Sequence, residues 1–230
     1  MKKPYIKKYC TIAHITVWLV NGNYIRTNID EEFTNFALHH IKKFPYIPKN
    51  EFWIDHEAEE GEEQFFIDNM LAMHKHLSMG KSYKEAHAKA DIVEKKERAG
   101  SKLVKKIKTS YNIKNIHKKL LKKYSNHIKV WIVKGELVRD LLFLDFTEGG
   151  HDFIYHFIPN NEIWLDDDIT PKERKFILLH ELYERYLMSK DSPYNEAHNK
   201  ASHLEFSYRH NKKDIDKKIK EILKLNYFSN

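Results

Sequence analysis

The feature that most restricts this chain is that it contains one pattern twice. V-W-L-V-N-G at 17–22 returns as V-W-I-V-K-G at 130–135, and F-T at 33 returns at 146. After a two-residue difference in length the match resumes, with His40 against His151, I-P at 47 against I-P at 158, and N-E-F-W-I-D at 50 against N-E-I-W-L-D at 161. It then runs without a gap through Y-K-E-A-H-A-K-A (83–90) and Y-N-E-A-H-N-K-A (194–201), ending with Glu94 and Arg98 against Glu205 and Arg209. A unit of about 80 residues used twice must close a small core in each copy, and the period is too long for a solenoid.

Each copy has the same layout. V-W-I-V-K-G-E-L-V-R-D alternates apolar and polar residues around Lys134 and Gly135, which predicts a β-hairpin. H-D-F-I-Y-H-F-I-P and N-E-I-W-L-D, rich in aromatic and β-branched residues, predict two further short strands. In D-I-T-P-K-E-R, Thr170 as N-cap, Pro171 at N1 and Glu173 at N3 predict a helix start. That helix is expected over 171–189, with a break at S-K-D-S-P and a second helix over 194–210. The expected fold is therefore α+β, with two tandem units that each pack a small antiparallel sheet on a helical hairpin.

Between the copies the sequence changes character. Residues 99–129 carry ten lysines and no acidic residue, so at +10 they exceed the +7 of the whole chain and leave the remainder at −3. Ile113, Ile116, Leu120 and Leu121 have helical spacing, which predicts a connecting helix with a basic face. The expected division is 1–98 for the first unit, 99–129 for this linker, 130–210 for the second unit, and 211–230 for a closing amphipathic helix.

Composition bounds the class. The chain is 41% hydrophobic with 13 Tyr, 13 Phe and 4 Trp, which is globular and not disordered. Its one cysteine, Cys10, excludes an intramolecular disulfide framework and a multi-cysteine zinc site, so a reducing compartment is expected. The basic N-terminus lacks an apolar core of signal-peptide length, and no segment approaches the roughly 18 apolar residues of a membrane span. The expected location is cytoplasmic, in a host cell or in a virion if the chain is viral, with no membrane partner.

One helix breaks the apolar pattern. F-I-L-L-H-E-L-Y-E-R-Y-L-M (176–188) sets His180, Glu181, Glu184 and Arg185 among bulky apolar residues. His180 and Glu184 are four residues apart and project from one face. Such a cluster is either a reaction centre or a buried network in which Arg185 pairs with Glu181 or Glu184. Copy one has Asn69, Met70 and Met73 at the positions of His180, Glu181 and Glu184, so any chemistry belongs to copy two. His87 stands opposite His198 and His40 opposite His151, which favours structural roles for both pairs. Glu205 and Arg209, like Glu94 and Arg98, have the spacing of intrahelical ion pairs. Asp166, Asp167 and Asp168 read as a solvated strand end and helix entry, with a metal role as the alternative.

The H-E-x-x-E at 180–184 resembles the H-E-x-x-H helix of zincins, in which two ligands flank a glutamate that handles the proton of the attacking water. N-E-I-W-L-D-D-D-I-T-P-K-E-R-K-F-I-L-L-H-E-L-Y-E-R is similar to the strand, helix entry and H-E-L core of minimal gluzincin-type metallopeptidases, including the kind that cleaves phage repressors. It is also similar to an uncharacterised family of phage and large-virus proteins with an H-E-L-x-E-R helix followed by A-H. The resemblance covers residues 147–209, with a weaker echo over 34–98. It implies a zincin-like fold, zinc held through His180 and Glu184, and Glu181 as the catalytic group, with the first copy inactive. His198 is the leading third ligand, because a hairpin turning near 189–193 sets it level with Glu184; His151 is the alternative. The implied activity is metal-dependent hydrolysis of a peptide or protein substrate, laid as an extra strand along Ile163 to Asp166.

Two other classes compete. Lys105, Lys106, Lys118 and Lys119, interleaved with Tyr111, Ile113, Ile116 and Tyr124, would bind nucleic acid through its phosphates. Alternatively the protein is a structural viral or phage component in which both copies are scaffolds.

Overall fold

A computed structural model of the chain describes residues 4–57, 61–101, 104–105, 115–211 and 214–227. It is an α+β fold with two similar units, built among the described residues from two four-stranded mixed sheets and seven α-helices. The first compact unit comprises Met1–Tyr111 with Arg139–Leu144, and the second Asn112–Val138 with Asp145–Asn230. No helix of the described residues is long and apolar enough to cross a membrane.

The first unit runs β1 (Tyr5–Ile12), β2 (Ile15–Val20), α1 (Gly22–Asn28), β3 (Phe36–Leu38), β4 (Glu51–Asp55), α2 (Glu63–Ser78) and α3 (Tyr83–Gly100). Its sheet order is β1-β2-β4-β3. The continuing chain gives β5 (His117–Leu120), β6 (Lys129–Val133), α4 (Gly135–Leu141), β7 (Gly149–His151), β8 (Glu162–Asp166), α5 (Glu173–Met188), α6 (Tyr194–His210) and α7 (Ile215–Tyr227), with the order β5-β6-β8-β7. In each sheet the outer pairs are antiparallel and the central pair, β2 with β4 or β6 with β8, is parallel.

The parallel centre departs from the expected antiparallel sheet, and its cause is a glycine. V-W-I-V-K-G-E-L-V-R-D is a strand followed by a helix, so the next strand to pair with β6 returns by a crossover. A Cβ on Gly135 would overlap the Asp166 carboxylate, and the Gly135 N–H donates to Asp167 Oδ1 at 3.0 Å. Gly22 is placed in the same way against Asp55, with its N–H 3.1 Å from Oδ1. Both glycines admit a carboxylate to the start of a short helix, a use of glycine that competes with the hairpin turn.

The lysine-rich stretch also departs from expectation. His117–Leu120 is a strand, with Lys119 opposite Ile132 and Leu120 opposite Trp131. The His117 ring stacks on Trp131 at 4.2 Å and its Nε2 lies 3.0 Å from Glu162 Oε2, and these tertiary contacts outweigh the helical spacing of the apolar residues. Ile113 and Lys106 lie outside the described residues.

In the second unit the α5–α6 hairpin covers the sheet. Ile177, Leu178 and Leu182 of α5 pack into a core with Val130, Ile163 and Leu165 of the sheet and Ile219, Ile222 and Leu223 of α7. Each such side chain contributes about 1.5–3 kcal/mol by leaving water. The hairpin turns through Asp191 at φ +63°, where the first unit has Gly80 at φ +79°. A short polar side chain is tolerated in this left-handed region, so either residue serves.

Candidate metal centre

Core packing on one side of α5 aims the other side at α6. His180 and Glu184, one turn apart, face His198 of α6, and their donor atoms form a small triangle. His180 Nε2 lies 3.2 Å from His198 Nδ1 and 3.4 Å from Glu184 Oε2, and His198 Nδ1 lies 2.8 Å from the same oxygen. His180 and Glu184 are buried, whereas the His198 side chain is 29% exposed, so the triangle opens to solvent on the α6 side.

Behind His180 stands a chain of charges. Its Nδ1 donates to Glu205 Oε2 at 3.1 Å, since a carboxylate there only accepts. Glu205 Oε1 accepts from Arg209 Nε at 2.8 Å, and Arg209 makes a two-pronged contact with Glu173, with Nη1 3.0 Å from Oε2 and Nη2 on Oε1. Glu205 with Arg209 is thus the intrahelical pair expected from spacing, and its free oxygen fixes the His180 ring with Nε2 facing the triangle. Burial alone would lower the His180 imidazole, but the Glu184 and Glu205 carboxylates raise it well above its usual range. Burial likewise opposes ionisation of Glu184, yet His151, His180 and His198 hold its carboxyl far below the ordinary range.

His151 approaches from the sheet. Its Nδ1 accepts the Phe153 N–H at 3.2 Å, so the ring proton sits on Nε2 and is donated to Glu184 Oε1 at 3.0 Å. His151 therefore acts as a donor, and the lone pair a ligand would need is already engaged. His198 is the histidine that completes a triangle with His180 and Glu184. The network reading of Arg185 is corrected by its position: it turns away from both Glu181 and Glu184 to Asp152, with Nε 2.6 Å from Oδ1 and Nη2 3.0 Å from Oδ2. Both Asp152 and Arg185 are buried, so this pair satisfies itself without drawing on the centre.

Strand register revises the pairing of the copies around His151. His151 lies opposite Ile163, and the residue opposite Phe52, its counterpart in the first unit, is Leu38. The two-residue length difference therefore falls after this strand. His40 lies beyond it in a turn, its Nδ1 accepting the N–H groups of Lys42 and Lys43 at 3.3 and 3.1 Å. His151 has no counterpart in β3, which removes the argument from retention for a purely structural role. His87, opposite His198, has its own partner one turn on, with Nδ1 3.0 Å from Asp91 Oδ2, where α6 has Ser202.

The first unit keeps the charge chain without the triangle. Asn69 Nδ2 donates to Glu94 Oε2 at 2.8 Å, Glu94 pairs with Arg98 at 2.8 Å, and Arg98 pairs with Glu62 at 2.8 Å. Glu62, Glu94 and Arg98 hold the places of Glu173, Glu205 and Arg209, while Asn69 and Met73 replace His180 and Glu184.

Glu181 lies beside the triangle, one ligand atom of each of His151, Glu181 and Glu184 lying within 4.8 Å of one another. Burial raises its carboxyl to about 8, the Glu184 charge adding to the rise and His180 and His198 opposing it. It runs under β7, where a Cβ on Gly149 would stand 3.3 Å from Glu181 Cγ and 3.0 Å from Ile177 Cγ2. By register, Gly149 answers to Phe36, whose ring stacks on Phe66 at 4.7 Å. The second unit thus has no side chain at the strand position from which Phe36 covers Phe66, the counterpart of Ile177, in the first.

Three sequence expectations fall elsewhere. The edge beside the centre is β7; Ile163 to Asp166 belong to β8, which is paired on both sides. Asp166, Asp167 and Asp168 form a close acidic group at the end of β8, where Asp167 accepts from Gly135 and from Lys118 at 2.6 Å. Lys118 and Lys119 are both exposed on β5, where the register slips between His117 and Lys119, and Lys118 is engaged by Asp167. Lys105 is exposed, and Lys106 lies outside the described residues.

No family model matches the chain, and no curated protein or solved structure matches it, so the geometry of the centre itself carries the functional reading.

Proposed function

We propose that the second unit is a metal-dependent hydrolase of zincin-like type, a zinc peptidase, with the first unit as a non-catalytic relative. The carrying observation is the triangle of His180 Nε2, His198 Nδ1 and Glu184 Oε2, with sides of 3.2, 2.8 and 3.4 Å. Ligands about 2.0–2.1 Å from a tetrahedral zinc are separated by about 3.3 Å, so these sides are close to one face of that tetrahedron. The donor set of two imidazoles and one carboxylate, with an open fourth side, suits a catalytic zinc site. Glu205 behind His180 is the oriented carboxylate partner that metal-binding histidines ordinarily have.

A zinc ion held there supplies Lewis acidity toward a carbonyl and activation of water. Glu181 is the proton carrier of the site. Burial and the Glu184 charge raise the proton affinity of its carboxyl in the metal-free protein, which suits a group that takes a proton and returns it to a leaving amine. A peptide carbonyl suits the surroundings because the basic side chains of the two helices are already engaged. Arg185 and Arg209 are engaged by Asp152, Glu173 and Glu205, which favours a neutral carbonyl over a phosphoryl group.

The test is metal analysis of purified protein, followed by hydrolysis of a peptide library. The expectation is stoichiometric zinc that is lost in His180→Ala, hydrolysis abolished by chelation, and a Glu181→Gln variant that keeps zinc but not activity. Protein without stoichiometric zinc, or with metal content unchanged by His180→Ala, would sink the proposal.

A further inference from the structure

We infer that His151 is a positioning residue that makes Glu184 a one-oxygen ligand, and so sets the coordination number of an ion held with His180 and His198; this rests on the metal reading above. A carboxylate in place of the second histidine of H-E-x-x-H introduces a problem that an imidazole does not have. It offers two oxygens, and an ion facing both is chelated. Two-oxygen binding suits larger, oxygen-seeking ions with six to eight ligands, whereas zinc sites hold four.

The two oxygens of Glu184 are given separate duties. Oε2 faces His198 Nδ1 at 2.8 Å and His180 Nε2 at 3.4 Å, while Oε1 is taken by His151 Nε2 at 3.0 Å. The His151 ring is fully buried, so water does not compete for that bond. Its proton is fixed on Nε2 because Nδ1 accepts the Phe153 N–H at 3.2 Å. His151 also comes from β7 and not from the α5–α6 hairpin, so its aim is set independently of the ligands. The first unit supplies the comparison, because Met73 replaces Glu184 there and Leu38 occupies the strand position of His151. The carboxylate and its imidazole are present together in one unit and absent together from the other.

Cobalt(II) reports coordination number by its visible absorption, which is intense with four ligands and weak with five or six. Metal-free full-length protein reloaded with cobalt should give the intense spectrum. His151→Leu, which installs the residue of the first unit, should give the weak one and bind zinc about 10–100-fold less tightly. His151→Gln keeps an N–H donor and should recover much of the intensity. Circular dichroism checks folding, and His151→Met replaces His151→Leu if the latter does not fold. An intense spectrum and unchanged zinc affinity in the variant lacking the donor overturn the inference and leave the metal reading standing. Wild-type protein that takes up neither cobalt nor zinc overturns the metal reading and the inference with it.

Discussion

Replacing Glu181 with glutamine probes the electrostatics of the centre without touching a proposed ligand. Burial, assisted by the Glu184 charge, raises the Glu181 carboxyl from 4.5 to about 8 in the folded, metal-free protein. The unfolded chain ionises near the ordinary value, so between these limits the folded state holds a proton that the unfolded state has released. Stability from this group is therefore full below about pH 4.5 and is lost as pH rises through about 8. Each pH unit in the window is worth about 1.4 kcal/mol, which gives a ceiling of about 5 kcal/mol. Glu181 is partly reached by water, which screens its charge, so the expected loss is roughly 2–4 kcal/mol. The assay is urea unfolding of chelator-treated protein across this pH range. Trp18→Phe and Trp53→Phe in the background leave Trp131 and Trp164 to report on the second unit. Wild type should lose stability relative to Glu181→Gln as pH rises, with the gap levelling off near the upper end. Parallel curves across the whole window would refute the reasoning, because they would mean that Glu181 ionises as easily folded as unfolded.

Further predictions concern the groups around it. Arg209→Met leaves the buried carboxylates of Glu173 and Glu205 without the guanidinium between them and should destabilise the second unit by about 3–5 kcal/mol, read as a lowered urea midpoint. Gly149→Ala places a Cβ 3.0 Å from Ile177 Cγ2 and 3.1 Å from the Trp164 backbone oxygen, and should cost about 1–3 kcal/mol while leaving zinc content unchanged. The Glu184 and Glu205 carboxylates outweigh burial and raise the proton affinity of His180, and that of Glu181 is raised as well, so zinc loading should release protons. Calorimetry in buffers of different ionisation enthalpy measures that release, and a heat independent of buffer would contradict it.

What the sequence discloses about this protein depends on how far apart the partners lie. The duplication, the α5–α6 hairpin and the Glu205–Arg209 pair are readable because they rest on periodicity and on residues one turn apart. His180 and Glu184 stand out for the same reason, as polar residues in an apolar helix. The bonds of Glu184 to His151 and of Arg185 to Asp152 each join residues 33 positions apart, on different elements, and spacing says nothing about them. Two signals were available and ambiguous. Gly135 follows an apolar strand as a hairpin glycine would, but a carboxylate occupies the space its missing side chain leaves. The match of His40 with His151 is a coincidence of residue type that only strand register separates.

The first unit has a consequence for how the second responds to its surroundings. Glu62, Arg98 and Glu94 close their charge chain in a unit that has Asn69 and Met73 in place of His180 and Glu184, so this frame closes without the triangle. Zinc would then be a tenant of the second unit and not its keystone, unlike the small zinc domains that unfold when the metal leaves. Chelation should silence the centre and leave the molecule folded. Activity could in that way follow metal supply while the chain persists, ready to be reloaded without refolding.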